Sequence, residues 1–273
     1  MLRSILGLLA SLALALGAGN PALAAGDETA SPVLSRIVKS GELRVGMSGD
    51  QAPLNVKSRS GELIGLEVDL AMLLASAMQV TPKFVTKPFP ELLGALKSGE
   101  VDLVMSGMTI TPERNLEVAF VGPYFVSGKS ILTKSSKLAA IDETKAIDDS
   151  SVSLAALKNS TSQRFVEVFV PKAKLVGVAD YDEGVKLVIG GEVDALVADY
   201  PICVLSVLRH PEQGLATLSS PLTIEPIGIA LPANDALLVN LVQNYLNALQ
   251  GTGVLEALSA RWFEDASWLE QLP

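Results

Sequence analysis

Apolar and polar positions along the 273-residue chain follow two periods in turn, and each switch of period predicts a change of element. Val33 to Ser40 reads as a short helix ended by Gly41, Leu43 to Met47 as a strand, and Ser48 to Asn55 as a loop. Gly61 to Gly65 reads as a turn into a strand edge. From Leu66 the apolar side chains fall at Leu66, Leu70, Leu73, Leu74 and Ala77, the spacing of a helix with one buried face. Thr81 to Thr86 returns as a strand, and Pro88-Phe89-Pro90 interrupts it. Glu91 to Ser98 is a second helix, with Leu92, Leu93 and Leu96 on one side and Gly99 just past its end. Val101 to Met105 is an apolar run of strand length. Strands alternating with helices at this rhythm predict a three-layer α/β domain.

One segment of this pattern occurs twice. Leu96 to Met105 is matched by Val188 to Val197: each is a helix end, a glycine stop, Glu-Val-Asp and a strand. Two copies of a helix-to-strand turn are weak evidence for a repeat. Each copy, however, is followed by polar residues at the carboxyl end of its strand, where open α/β sheets gather their ligands. In the first these are Ser106 and Thr109; in the second it is Asp199. Two such domains facing each other would set an arginine and an aspartate across one cleft.

The arginine is Arg114. Thr111 is a good N-cap and Pro112 suits the first helical position, so a helix begins there with Glu113 in its first turn. The hydroxyls of Ser106 and Thr109, backbone donors and the Arg114 guanidinium can therefore converge on one small anion. Arginine grips a carboxylate through two parallel hydrogen bonds, so this segment is expected to hold the carboxylate of a small ligand. The plainer alternative is a surface arginine on an ordinary capped helix.

Composition narrows the classes. Met1 to Ala24 has a basic start at Arg3, an apolar stretch from Ile5 to Leu16 and Ala22-Leu23-Ala24 before Ala25. This is the pattern of a secretory signal peptide, too short for a convincing membrane span, and it predicts an exported, soluble, periplasmic protein. The remaining chain of about 250 residues can build two medium lobes. Acidic residues outnumber basic ones by 30 to 21 with no basic run, which argues against nucleic acid as a partner. Cys203 and His210 are each the only residue of their type. No internal disulfide, usual zinc site or Cys-His pair is expected, and a Ser-His-Asp triad would have to use His210. No cofactor, metal or catalytic residue is predicted.

Several segments together resemble the amino-acid-type solute-binding proteins of bacterial ABC importers, the family 3 extracellular binding proteins. They are Leu43-Arg44-Val45-Gly46, Gly61 to Ala71, Leu96 to Asp102, Ser106 to Arg114, Phe120-Val121-Gly122-Pro123-Tyr124-Phe125 and Gly191 to Asp199. The resemblance implies a type II periplasmic-binding-protein-like fold: two lobes joined by two crossing strands, each a sheet flanked by helices, with the ligand cleft between them. Lobe 1 would take residues 25–126 and return over 222–273 with the C-terminal helices, and lobe 2 would take 127–221. It further implies that Arg114 takes the α-carboxylate of a free amino acid, helped by Ser106, Gly107, Thr109 and Thr161 or Ser160. Asp199 would take the α-ammonium, Phe89 would stack on the ligand, and Gln51 would face its side chain. A membrane permease of the ABC type is the implied partner, and a monomer the implied state.

The chain departs from the family pattern at Gln51 and Leu54, where relatives carry aromatics, at Glu67 for aspartate, and at Asn159 for glycine. Asparagine tolerates the left-handed conformation a glycine marks. Asp50 and Gln51 would favour a polar or cationic ligand side chain, Lys129 and Arg164 an acidic one. Two rival classes share the fold: a cyclohexadienyl dehydratase-like enzyme and a sensory ligand-binding module. The enzyme requires a carboxylic acid poised at the leaving group, and no motif places Glu67 or Glu225 there.

Overall fold

The computed structural model describes residues 30–141 and 143–272; the expected signal peptide lies outside them. Two five-stranded sheets form two lobes. The first has the order β5 (Thr81–Thr86), β1 (Glu42–Met47), β6 (Leu103–Val104), β13 (Glu225–Leu231), β7 (Ala119–Ser127). The second has the order β10 (Lys174–Val178), β9 (Ser153–Leu157), β11 (Ala195–Asp199), β8 (Lys129–Thr133), β12 (Ala216–Thr217). In each sheet the first three strands run parallel and the fourth antiparallel to them, so the lobes share one plan. The fold is the expected two-lobed α/β architecture.

The sequence echo marks that shared plan. Gly99 and Gly191 both take left-handed backbone, with φ of +75° and +72°, and close their helices. Three residues later, Asp102 Oδ2 accepts the Arg44 N–H at 2.7 Å and Asp194 Oδ2 accepts the Ser153 N–H at 2.7 Å. Each aspartate thus clamps the second strand of its sheet, β1 or β9, near its start. Asp102, fully buried, is also paired with the guanidinium groups of Arg36 and Arg44.

The first lobe's core is closed by the chain's return. The helix Ala236–Gly251 packs Leu238, Val242, Leu246 and Leu249 into the cluster built by β1 and the helix Leu66–Ala77. Asp235, fully buried, caps two helices at once. Its Oδ1 accepts from Leu238 N–H, and its Oδ2 from the Val33 and Leu34 N–H groups at 2.8 and 2.9 Å. Trp262 donates to Asp69 at 2.8 Å, its ring lies 5.3 Å from that of Trp268, and Phe263 stacks on Phe125 at 4.3 Å. The tail is therefore anchored on the core of the first sheet.

One expected loop is structured. Within Ser48 to Asn55, Asp50–Gln51 (β2) pairs with Asn55–Lys57 (β3), and Leu63–Ile64 (β4) completes a small antiparallel sheet. β2 and β3 are two and three residues long and bury the polar Gln51 and Asn55, so no hydrophobic alternation announces them, whereas β4 is the strand edge expected after Gly61.

The lobes are joined by β7 running into β8 and by the return from β12 into β13. Gly128 is the link between β7 and β8, and a Cβ there would lie 2.0 Å from the Thr223 carbonyl oxygen and 2.7 Å from Pro221 Cβ. The two connections pass too close for any side chain at that point. Gly128→Ala is expected to cost about 3 kcal/mol or more in urea unfolding, because backbone must move to admit the methyl. Gly251→Ala, in a helix with nothing within 4 Å of the added Cβ, should be neutral or slightly stabilising in the same measurement.

Candidate functional site

The lobes meet along a seam lined by the turn after β6, the first turn of Thr161–Phe169 and the carboxyl end of β11. Pro112–Asn115 forms the short helix the sequence predicts, with Thr111 Oγ1 accepting the Arg114 N–H at 3.2 Å. The Arg114 side chain crosses the seam. Its Nη1 donates to the Thr109 carbonyl at 2.9 Å and its Nη2 to the Asn159 carbonyl of the second lobe at 3.4 Å. The guanidinium carbon lies 5.7 Å from the centre of the Phe89 ring. Phe89 itself is buried in an apolar cluster that runs through both lobes, so it serves packing as well as facing Arg114.

Asn159 has φ +56°, the left-handed conformation expected of a residue standing in for glycine. It turns the chain so that Thr161 faces lobe 1, with Thr161 Oγ1 3.3 Å from Thr109 Oγ1. Ser160 is spent locally: its hydroxyl donates to the Leu157 carbonyl at 2.6 Å and caps the helix by accepting from Ser162 and Gln163 N–H. An open cavity of about 340 Å³ at the seam is lined by Thr111, Arg114, Ser160, Thr161, Gln163 and Arg164, among others.

Ser106 and Gly107 are turned into the first lobe. Ser106 Oγ accepts the Ser48 N–H at 3.0 Å and lies 3.2 Å from Gln51 Oε1. The Gly107 N–H donates to Glu67 Oε1 at 2.6 Å, and Gly107 holds φ +55° with a would-be Cβ 2.8 Å from Gln51 Oε1. Glu67 is fully buried; it also accepts from the Tyr124 hydroxyl and from Asn55 Nδ2 at 2.5 Å. Burial pushes its carboxyl above the usual range, while hydrogen bonds from Tyr124, Gly107 and Asn55 pull the other way. Glu67 therefore fixes the turn that carries Thr109 and Arg114.

The opposite end of the seam is charged. Asp199, at the end of β11, leaves the following helix uncapped. Its Oδ1 instead accepts from Lys129 Nζ at 2.7 Å. The antiparallel register sets Asp199 directly opposite Lys129, and Glu225, the first residue of β13, brings Oε2 to 3.7 Å from the same Nζ. Burial pulls the Arg114 pKa down, and the charges of Glu225 and then Asp199 are the largest opposing it. Asp50 also lies on the seam. Burial chiefly holds its carboxyl above the usual range, and the charges of Asp180 and Asp182 act in the same direction. Among the described residues no group of three or more metal-ligating side chains comes together, and no helix is long and apolar enough to cross a membrane. Cys203 is buried, and its thiol is pushed up to about 12 by that burial.

Sequence reasoning named the two poles, Arg114 and Asp199, but not how Lys129 and Glu225 complete the acidic one. No spacing signals that group: residues 129, 199 and 225 meet only through strand register and the returning hinge strand.

This arrangement defines a two-lobed binding protein with an interlobe site. The sequence profile of the bacterial extracellular solute-binding proteins, family 3, matches residues 43–265, and the chain belongs to that family. It is 26% identical to ABC transporter arginine-binding protein 1 of Escherichia coli over 81% of this chain and 90% of that one. It is 27% identical to cyclohexadienyl dehydratase of Pseudomonas aeruginosa over 85% of this chain and 86% of that one. Among solved structures, an ancestral amino acid-binding protein, a precursor of cyclohexadienyl dehydratase, superposes with a TM-score of 0.77 at 33% identity, covering 84% of this chain and 99% of that one.

Glu67 offers a direct test of the turn's support. In Glu67→Gln the amide nitrogen meets donors only, so a loss of about 1–3 kcal/mol in unfolding free energy is expected. A raised carboxyl pKa contributes stability that is fully present below the unfolded value of about 4.5 and is lost as pH rises through the folded value. The gap between wild type and variant, measured by urea titration from pH 4 upward, should therefore narrow as pH rises.

Proposed function

We propose that the protein binds a free α-amino acid in the interlobe seam, closes on it by hinge motion, and delivers it in the periplasm to the permease of an ABC importer. One observation carries the reading: opposite charges, Arg114 from the first lobe and Asp199 from the second, face the same seam. A free amino acid is a zwitterion, and burying it without partners would be expensive. Arg114, with Thr109 and Thr161, takes the carboxylate; Asp199, joined by Glu225, takes the ammonium. Gln51, held beside Ser106, and Phe89 border the ligand's side chain. Because the two poles sit on different lobes, a ligand that touches both favours closure, by no more than its preference for the closed state. The protein acts as a monomer, without cofactor and without turnover.

A second reading, an eliminating enzyme like the dehydratase relative, has one observation in its favour: the Glu225 carboxylate shares the seam with Lys129. It predicts consumption of prephenate or arogenate, followed by absorbance; the binding reading predicts none.

A thermal-shift screen against the twenty amino acids tests the main proposal. A ligand at a hundredfold excess over its dissociation constant stabilises the folded state by about 2.7 kcal/mol, so one amino acid or a small group should raise the melting temperature. Arg114→Ala should abolish the shift, with a loss of about 2–5 kcal/mol in binding free energy by calorimetry. Arg114→Lys should recover little of it, since lysine cannot form the two parallel bonds. An unchanged affinity in Arg114→Ala would overturn the assigned grip.

A further inference from the structure

Lys129 is not explained by a simple two-pole grip. It is 1% exposed, and a buried ammonium is tolerated only where its charge is met. Asp199 meets it at 2.7 Å. Glu225 Oε2, at 3.7 Å, is in ion-pair range but too far for a hydrogen bond, and that oxygen is buried without a hydrogen-bond partner among the described residues. The cluster is held rigidly: the Thr223 hydroxyl accepts the Lys129 N–H at 2.8 Å and lies 3.3 Å from Glu225 Oε1. An ammonium carries three donors, one of which goes to Asp199. A buried acceptor, Glu225 Oε2, thus stands beside an ammonium with donors to spare.

The charges can be counted. Asp199 and Glu225 bring two negative charges and Lys129 one positive, so this pole is net negative by one. Arg114 supplies one positive charge at the other pole, and the four groups sum to zero. An α-amino acid with an uncharged side chain leaves that sum at zero. A cationic one adds a positive charge to a closed, water-poor seam. Asp50 lies on the seam outside both poles; burial chiefly raises its pKa, and a hydrogen bond with Ser48 pulls the other way.

We infer that Lys129 is a specificity-determining residue: it cancels one of the two carboxylates at the ammonium pole, so that the cleft selects amino acids with uncharged side chains over cationic ones. The inference rests on the amino-acid-binding reading above and names the ligand class within it.

The test is isothermal calorimetry of the mature chain against neutral, cationic and acidic amino acids, with urea midpoints recorded for every variant. In the wild type the tightest ligand should be neutral, with arginine and lysine weaker by roughly tenfold or more. Lys129→Met keeps length and removes charge, and should move the neutral-to-cationic ratio by roughly tenfold or more toward the cations. Adding Glu225→Gln to it restores a zero sum and should restore the original order. Glu225→Gln alone raises the sum by one and should shift preference toward acidic amino acids; it keeps the inference testable if Lys129→Met does not fold. Cations binding tightest in the wild type, or Lys129→Met weakening all classes by one factor, would overturn the inference and leave amino-acid binding standing. A wild type that binds no amino acid would overturn both.

Discussion

A seam between two lobes can close over charged groups only if their charges are met inside it. The penalty for taking an ion out of water exceeds most single contacts, and removing one partner of a buried pair costs more than the pair contributes. Here the seam holds Arg114 at one pole and Asp199, Lys129 and Glu225 at the other. Everything else in the architecture serves to deliver those groups to one place. A ligand entering between them must carry complementary charges at a fixed separation, which is a description of a zwitterion.

The scaffold delivers them by backbone means. Asp199 and Lys129 are cross-strand partners in the antiparallel pair of β11 and β8, so neither can shift without breaking a ladder. Glu225 arrives on β13, which pairs Glu225 with Ser127 at the hinge. At Gly128 the two connections pass too close for a side chain, so the acidic pole is assembled where they meet. Arg114 is set from the other side by the Glu67-supported turn. Both poles are therefore fixed by the fold itself, one through strand register and the other through a supported turn.

Much of this was readable from the chain. The helical period from Leu66 and the Gly99 and Gly191 stops announced the α/β elements, because local period and turn chemistry are written in adjacent residues, while the two-lobe plan came from the family resemblance. Arg114 was legible through its capped helix, and Asp199 through its place after an apolar strand. The strand edge at Leu63–Ile64 was legible too, but its pairing with residues 50–51 and 55–57 was not, since those short strands carry no period. Nor was the orientation of Ser106 and Gly107, which point to Gln51 and Glu67: a turn's sequence marks its position but not the direction of its donors. The grouping of Lys129 and Glu225 with Asp199 was hidden for a third reason. Their meaning lies in register and in the return of the chain across the hinge, which are non-local.

The two poles are built in different ways. The positive pole depends on a turn, a cap and one arginine, all within Ser106 to Arg114. The acidic pole is assembled from three distant segments, so a single substitution at position 129 or 225 changes its charge without disturbing the carboxylate grip. A fold built this way can alter the charge class of its ligand at one pole while keeping its mode of closure. That division separates the grip on the carboxylate from the part of the seam that sets charge class. It also locates the ligand choice of this chain at Lys129, in the half of the seam that sequence spacing does not mark.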